Sequence, residues 1–297
     1  MVNMTRRSAL LALTTTPLFP RQRDSRMSVE AYIFQQYAAR QKKRLADVLD
    51  EAVEMAHAAG FHNIELNQLF FTPDIRERTV ALLRAKKLRM PSVYVGGAMH
   101  TKEAAEATTA TALEIATLCR PFGCVGVVNN PSPKPAAEGR KSGEDLAAQG
   151  AALNNLGRVL KKLGFELRVH HHTPELADNA REWRHILHNT DAEYVMLCLD
   201  LDWVHQGGFK PLDLLREAGN RVREIHVRNS KDKLWLEALE DGDIDYREIA
   251  AYLKKTGLQP LVVVELAYRD NTVVSRPLAE DLRLSRIYAE RVFKLRA

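Results

Sequence analysis

Residues 194–200 read YVMLCLD, residues 222–228 VREIHVR and residues 261–266 LVVVEL, and upstream residues 167–172 read LRVHHH. Each is a short apolar run that leads into a side chain able to ligate a metal: Asp200, His226, Glu265 and His170. Runs of this length, rich in branched apolar residues and separated by helical stretches, are the pattern of buried parallel strands. When such strands alternate with helices and close on themselves, their C-terminal ends converge on one face, where the loops build a site. The runs therefore predict a (β/α)8 barrel whose strand ends share one centre.

The alternation extends outward through the chain. Strands are expected at 30–36, 63–67, 92–95 and 124–128, then at 166–172 and at the three later runs. Helices are expected at 45–59, 73–87, 102–118, 146–163, 174–188, 211–218 and 246–255, with Gly60, Gly164 and Gly257 as helix stops. Eight strands suit 297 residues of which 45% are hydrophobic and 27% charged, because a barrel takes about 250 residues as a single domain. Residues 27–297 read as one domain.

Residues 1–26 read as a leader. Thr5-Arg6-Arg7-Ser8-Ala9-Leu10 followed by Leu11-Ala12-Leu13 has the form of a twin-arginine signal. It predicts export to the periplasm, with a cytoplasmic protein if the leader does not function. The apolar stretch is too short for a membrane span. Arg6, Arg7, Arg21, Arg23 and Arg26 against Asp24 account for +4 of the net +5, so the body carries about +1. A nearly neutral body lacks the electrostatic footprint of a nucleic-acid binder. Cys119, Cys124 and Cys198 form no CxxC pair and read as buried thiols.

Strand periodicity sorts the polar residues, since successive side chains point to opposite faces. Asn63, Glu65 and Asn67 share a face that should point into the barrel. His170 and His172 share one face, opposed by His171; His226 pairs with Arg228, and Asp200 with Asp202 if the strand continues that far. A lone buried carboxylate or histidine is ordinarily a satisfied structural group. Four such strand ends together point to a metal. His57, His62, His185, His188 and His205 fall on helices or connections and read as surface residues, and His100 as a loop residue.

Several segments resemble a known family. LNNLGRVLKKLGFELRVHHHTPEL (153–176), LDLDWVHQGG (199–208), EIHVRNSKD (224–232), DGDID (241–245) and VVVEL (262–266) are similar, in order, to motifs of the xylose isomerase-like sugar isomerases and epimerases. The resemblance implies a TIM barrel, a small carbohydrate substrate and one divalent metal, with Asp200, His226 and Glu265 as ligands and His170 where many members have a ligating glutamate. It also implies that His172, Glu175, Trp203 and Arg228 line or support the substrate pocket. His170 is the main departure and resembles inosose-dehydratase-like members. The fold is shared with apurinic-site endonucleases, whose three-zinc ligand set this chain lacks.

A His/carboxylate set suits Mn²⁺, Mg²⁺, Co²⁺, Fe²⁺ or Zn²⁺. Metal polarisation of a carbonyl with proton removal beside it gives an enediolate. Glu265 is the first candidate base and Glu65 or His172 the second. Arg228 suits an anionic or hydroxyl-rich substrate group, and Trp203, Tyr94, Phe70 and Tyr32 can stack on a sugar. Reprotonation gives epimerisation or isomerisation, whereas loss of a β-oxygen gives dehydration of a keto-sugar, keto-inositol or oxidised glycoside. Outside enzymes, the alternative is a sugar-binding barrel that keeps the metal as a staple. A homo-oligomer is compatible with either.

Overall fold

The computed structural model describes residues 26–270 and 272–295, so the expected leader lies outside the described residues apart from Arg26. The strands are β1 (Met27–Glu30), β2 (Ile64–Asn67), β3 (Ser92–Tyr94), β4 (Gly126–Asn129), β5 (Glu166–Val169), β6 (Val195–Asp200) and β7 (Val222–Val227). A hairpin of β8 (Ser230–Lys231) and β9 (Leu234–Trp235) precedes β10 (Leu261–Val264). β1 to β7 and β10 are parallel neighbours in chain order and form a closed barrel, with Val29 of β1 opposite Ile64 of β2 and Val264 of β10. Closure removes the sheet edges and confirms the predicted architecture.

The first strand departs from expectation. Residues 30–36 do not form it: β1 ends at Glu30, and Tyr32–Arg40 is a helix that buries Ile33, Phe34 and Ala38. Those three positions follow a helical stripe rather than a two-residue alternation, while Met27 and Val29 supply the strand. The correction moves Glu30 from the start of a strand to its C-terminal end.

The fifth strand is also shorter than expected. It stops at Val169, so His170, His171 and His172 lie on the following loop, where strand alternation does not govern direction. His170 and His171 are each only 1% exposed, so burial does not separate them, but His170 and His172 line the cavity at this end of the barrel and His171 does not, in keeping with the expected contrast between their faces. The expected helix at 73–87 is present as Arg76–Ala85, and a short turn, Gln68–Phe71, precedes it. Ser142 and Asp145 form a capping box that starts the helix Gly143–Lys162. The helix Leu278–Phe293 packs on β10 and on Leu45–Ala58.

Apolar residues fill the layer between helices and barrel, where Leu49, Ala52, Val53 and Ala56 meet strand residues such as Met27, Val29 and Ile64. The barrel interior is different. Barrels of this kind are usually filled by branched apolar side chains, but here Glu65, Ser92, Arg168, Glu224 and His226 are all buried within it. Gly126 makes room for this cluster, since a Cβ there would lie 2.5 Å from Arg168 Cζ. Cys119, Cys124 and Cys198 are buried free thiols, as expected. Among the described residues no helix is long and apolar enough to cross a membrane.

Candidate metal centre

Asp200 ends β6, and its Oδ1 accepts the Trp203 N–H at 2.8 Å, capping the helix Leu201–Gln206. The cap fixes the carboxylate and leaves Oδ2 pointing elsewhere. Oδ2 lies 3.6 Å from His170 Nε2, and both atoms are buried without a hydrogen-bond partner. Tyr94 Oη sits 3.3 Å from the other ring nitrogen of His170, which orients the imidazole as an outer-shell partner does. His226 places Nδ1 2.7 Å from Glu265 Oε2. One donor atom from each of His170, Asp200, His226 and Glu265 falls within a 4.8 Å cluster.

Buried polar atoms are ordinarily paired, because desolvation without a partner costs about 1–3 kcal/mol each. Two unpartnered atoms facing each other among further ligating groups fit a cation, and two imidazoles with two carboxylates form a donor set that binds divalent ions. Burial drives the His170 imidazole well below its ordinary value, which favours the neutral form, the one able to ligate a cation. Burial likewise drives Asp200 up. At Glu265 burial is outweighed by Arg228 and His226, and the carboxyl stays well below the usual range.

Arg228 borders this cluster. Its Nη1 donates to Glu265 Oε1 at 2.6 Å and its Nε to Asp202 Oδ2 at 3.2 Å. Nη2 lies 3.2 Å from Asp200 Oδ2, an electrostatic contact without hydrogen-bond alignment. The guanidinium also lies 4.9 Å from the Trp203 ring and 4.8 Å from Trp235. Nε and Nη1 are committed to carboxylates and Nη2 faces Asp200, so the guanidinium braces the carboxylates beside the cluster.

Below the cluster, His226 Nε2 faces Glu65 Oε1 at 3.1 Å and Glu224 Oε1 at 3.5 Å. Ser92 Oγ bridges the two glutamates, and Arg168 donates to Glu224 at 2.8 Å. Glu65 and Glu224 act as one coupled pair: burial and Glu224 push Glu65 up to about 8. Burial opposes ionisation of Glu224 too, but His226 and Arg168 outweigh it and hold it at about 2. Arg168→Met takes the fixed cation from that buried carboxylate, leaving it with Ser92 and His226, and should cost about 3–5 kcal/mol at neutral pH. Because the folded value, about 2, lies below the ordinary 4.5, the stabilisation is present above pH 4.5 and lost as pH falls through 2. Urea unfolding from neutral pH down to about pH 3 should therefore show the variant's deficit shrinking with acidification; a constant deficit would remove Glu224 ionisation as its cause.

Above the cluster opens a cavity of about 430 Å³ lined by Glu30, Tyr32, Tyr94, His172, Trp203 and Trp235, with His170 and Glu265 also in its wall. His172 and Trp203 meet edge to face at 5.2 Å, and Trp203 and Trp235 at 5.4 Å. The expected Tyr32, Tyr94, Trp203 and His172 thus reach the cavity, while Phe70 is buried in the core and His100 is not in the lining. Glu175 supports from behind: its Oε2 accepts the His172 N–H at 2.8 Å. Glu65 does point into the barrel but sits beneath His226, outside the cavity lining. Sequence reasoning missed Glu30 and Trp235. A larger cavity, about 880 Å³, lies at the start of β10 against Arg26, Leu258 and Val262, away from these side chains.

Comparison with known proteins matches this picture. A family model described as a xylose isomerase-like TIM barrel covers residues 53–286. An inosose dehydratase of Clostridium perfringens is 24% identical over 166 residues, 50% of this chain and 55% of that protein. One of Salmonella typhimurium is 28% identical over 131 residues, 38% of this chain and 44% of its own. The chain spans about half the length of the curated relatives it matches. Among solved structures, a sugar phosphate isomerase/epimerase from Parabacteroides distasonis superposes with a TM-score of 0.70 at 17% identity, covering 91% of this chain and 95% of that one. A D-psicose 3-epimerase from Clostridium cellulolyticum does so at 0.68 and 15% identity, covering 90% and 99%. The structural likenesses show the fold, and the family match over residues 53–286 shows the lineage: the chain belongs to the xylose isomerase-like TIM barrel family.

Proposed function

We propose that this chain is a divalent-metal-dependent enzyme that removes a proton beside the carbonyl of a small polyhydroxylated substrate, as an isomerase or epimerase does. The observation that carries the reading is the pair of unpartnered buried atoms, His170 Nε2 and Asp200 Oδ2, clustered with His226 and Glu265 under an open cavity. A cation held by these four residues supplies Lewis acidity toward a carbonyl oxygen. The cavity's volume of about 430 Å³ is in the range of small-molecule sites, and its tryptophan and tyrosine walls suit the apolar face of a sugar.

A second reading, dehydration of a keto-polyol, has its own support. His170 stands where an epimerase-type carboxylate pair needs its second carboxylate, and the relatives matched by sequence include inosose dehydratases. Both readings share α-proton removal, so one assay tests them. With Mn²⁺-loaded protein in D2O, the α C–H signal of D-tagatose or of an inosose is expected to decay, and chelation should slow the decay by more than about 100-fold, a loss of roughly 2.7 kcal/mol in barrier lowering. Binding of these probes without any decay would leave the non-catalytic sugar-binding barrel instead.

A further inference from the structure

We infer that Glu30 is a catalytic residue that carries the substrate proton, a role that rests on the enolising reaction proposed above. Both oxygens of Glu265 are engaged, one by Arg228 and one by His226. Glu30 is the other carboxyl group in the cavity lining. It ends β1, which pairs with β10 through Val29 and Val264, so Glu30 and Glu265 follow on adjacent strands and face the same cavity. Glu30 is 3% exposed. Its Oε2 accepts the Tyr32 N–H, which anchors the carboxyl at the strand-to-helix turn, and among the described residues no ion pair or second hydrogen bond engages it.

A carboxyl group fixed at one oxygen and free at the other, in the wall of a cavity beside the ligand cluster, meets the geometric requirement for a general base. It also restores a second carboxyl group that His170 removes from the end of β5, but on a different side of the site. In the dehydration, Glu30 takes the proton from the carbon next to the carbonyl; the C–H pair becomes the enolate double bond and the carbonyl π pair moves to oxygen. The same proton then passes from Glu30 to the β-hydroxyl on that face. The C–O bond breaks toward oxygen, the enolate oxygen's pair re-forms the carbonyl, the enolate C=C pair becomes the new α,β double bond, and the products are an α,β-unsaturated ketone and water. One residue closes the proton balance, with no oxidant and no second base. Epimerisation would need a donor on the opposite face as well.

The test uses full-length Mn²⁺-loaded protein with an inosose in D2O and follows total loss of the α C–H signal, which counts exchange and elimination together. Glu30→Gln keeps an acceptor for the Tyr32 N–H and is expected to lower the rate by at least about 100-fold, with bound Mn²⁺ and unfolding temperature unchanged. A rate within about threefold of wild type, roughly 0.65 kcal/mol, would overturn the assignment. Should Glu30→Gln fail to fold, Glu30→Asp decides: it keeps the carboxyl but retracts it by one methylene, and an unaltered rate overturns the role while a loss of at least about tenfold supports it. If wild type itself shows no loss of signal, the enolising reading falls, and the role of Glu30 falls with it.

Discussion

The His226→Ala/Glu265→Ala double variant is expected to retain no divalent metal under conditions where the wild type holds about one equivalent per chain. The two residues supply half of the four-residue cluster, and the remaining pair, His170 and Asp200, comes from β6 and the loop after β5. Loss of an outer-shell partner alone typically costs about 10–100-fold in metal affinity, so loss of two ligands should exceed about 10³-fold. Elemental analysis after dialysis against Mn²⁺, Co²⁺ or Zn²⁺ reads this directly. Thermal unfolding reads it independently, because a ligand at a hundredfold excess over its Kd stabilises the fold by about 2.7 kcal/mol. The wild type should gain that increment and the variant should not. Equal metal in both proteins would place the ion elsewhere, and none in either would remove the metal from the reaction.

The convergence of these four side chains was legible in the sequence because it follows from a regular feature: apolar runs of strand length, each leading into a side chain able to ligate a metal. Barrel closure then converts positions far apart in the chain into neighbours, and His170, Asp200, His226 and Glu265 do converge. What escaped has particular causes. Glu30 is obscured in the sequence because Tyr32–Phe34 continues the apolar character of β1 into a helix and hides where the strand ends. Glu65 shows a different limit: alternation tells which face a side chain takes but not its height along the barrel axis, and Glu65 lies below His226. The Arg168–Glu224 pair joins β5 to β7 across the barrel interior, a contact that neither strand's own pattern encodes. Trp235 sits in a two-residue strand, too short to show any period. Each of these residues depends on where an element stops or on which strand it meets, and such information is carried by closure rather than by local spacing.

Arg228→Met is expected to destabilise the metal-free protein by about 3–5 kcal/mol, since it strips the cation from a buried set of carboxylates. Asp200, Asp202 and Glu265 are 0%, 0% and 8% exposed, and the guanidinium reaches all three. Other partners compensate in part: Asp202 also accepts from Ser230 Oγ at 2.6 Å and Trp235 Nε1 at 2.7 Å, Asp200 accepts the Trp203 N–H at 2.8 Å, and Glu265 faces His226 Nδ1 at 2.7 Å, but among the described residues Arg228 is the one fixed cation that reaches all three. Lysine is no substitute, because an ammonium can neither fork between Glu265 and Asp202 nor stack as a plane beside Trp203 and Trp235; Arg228→Lys should lose more than half of the same free energy. Urea unfolding of chelator-treated protein measures the cost. Adding Mn²⁺ should then reduce the deficit, because the cation offsets the same negative charge at Asp200 and Glu265. Combining Arg228→Met with Asp202→Asn should cost less than the sum of the single changes, as expected for groups in direct contact. A deficit under about 1 kcal/mol in the metal-free protein, or strict additivity in the double variant, would show that the carboxylates are compensated by something other than Arg228.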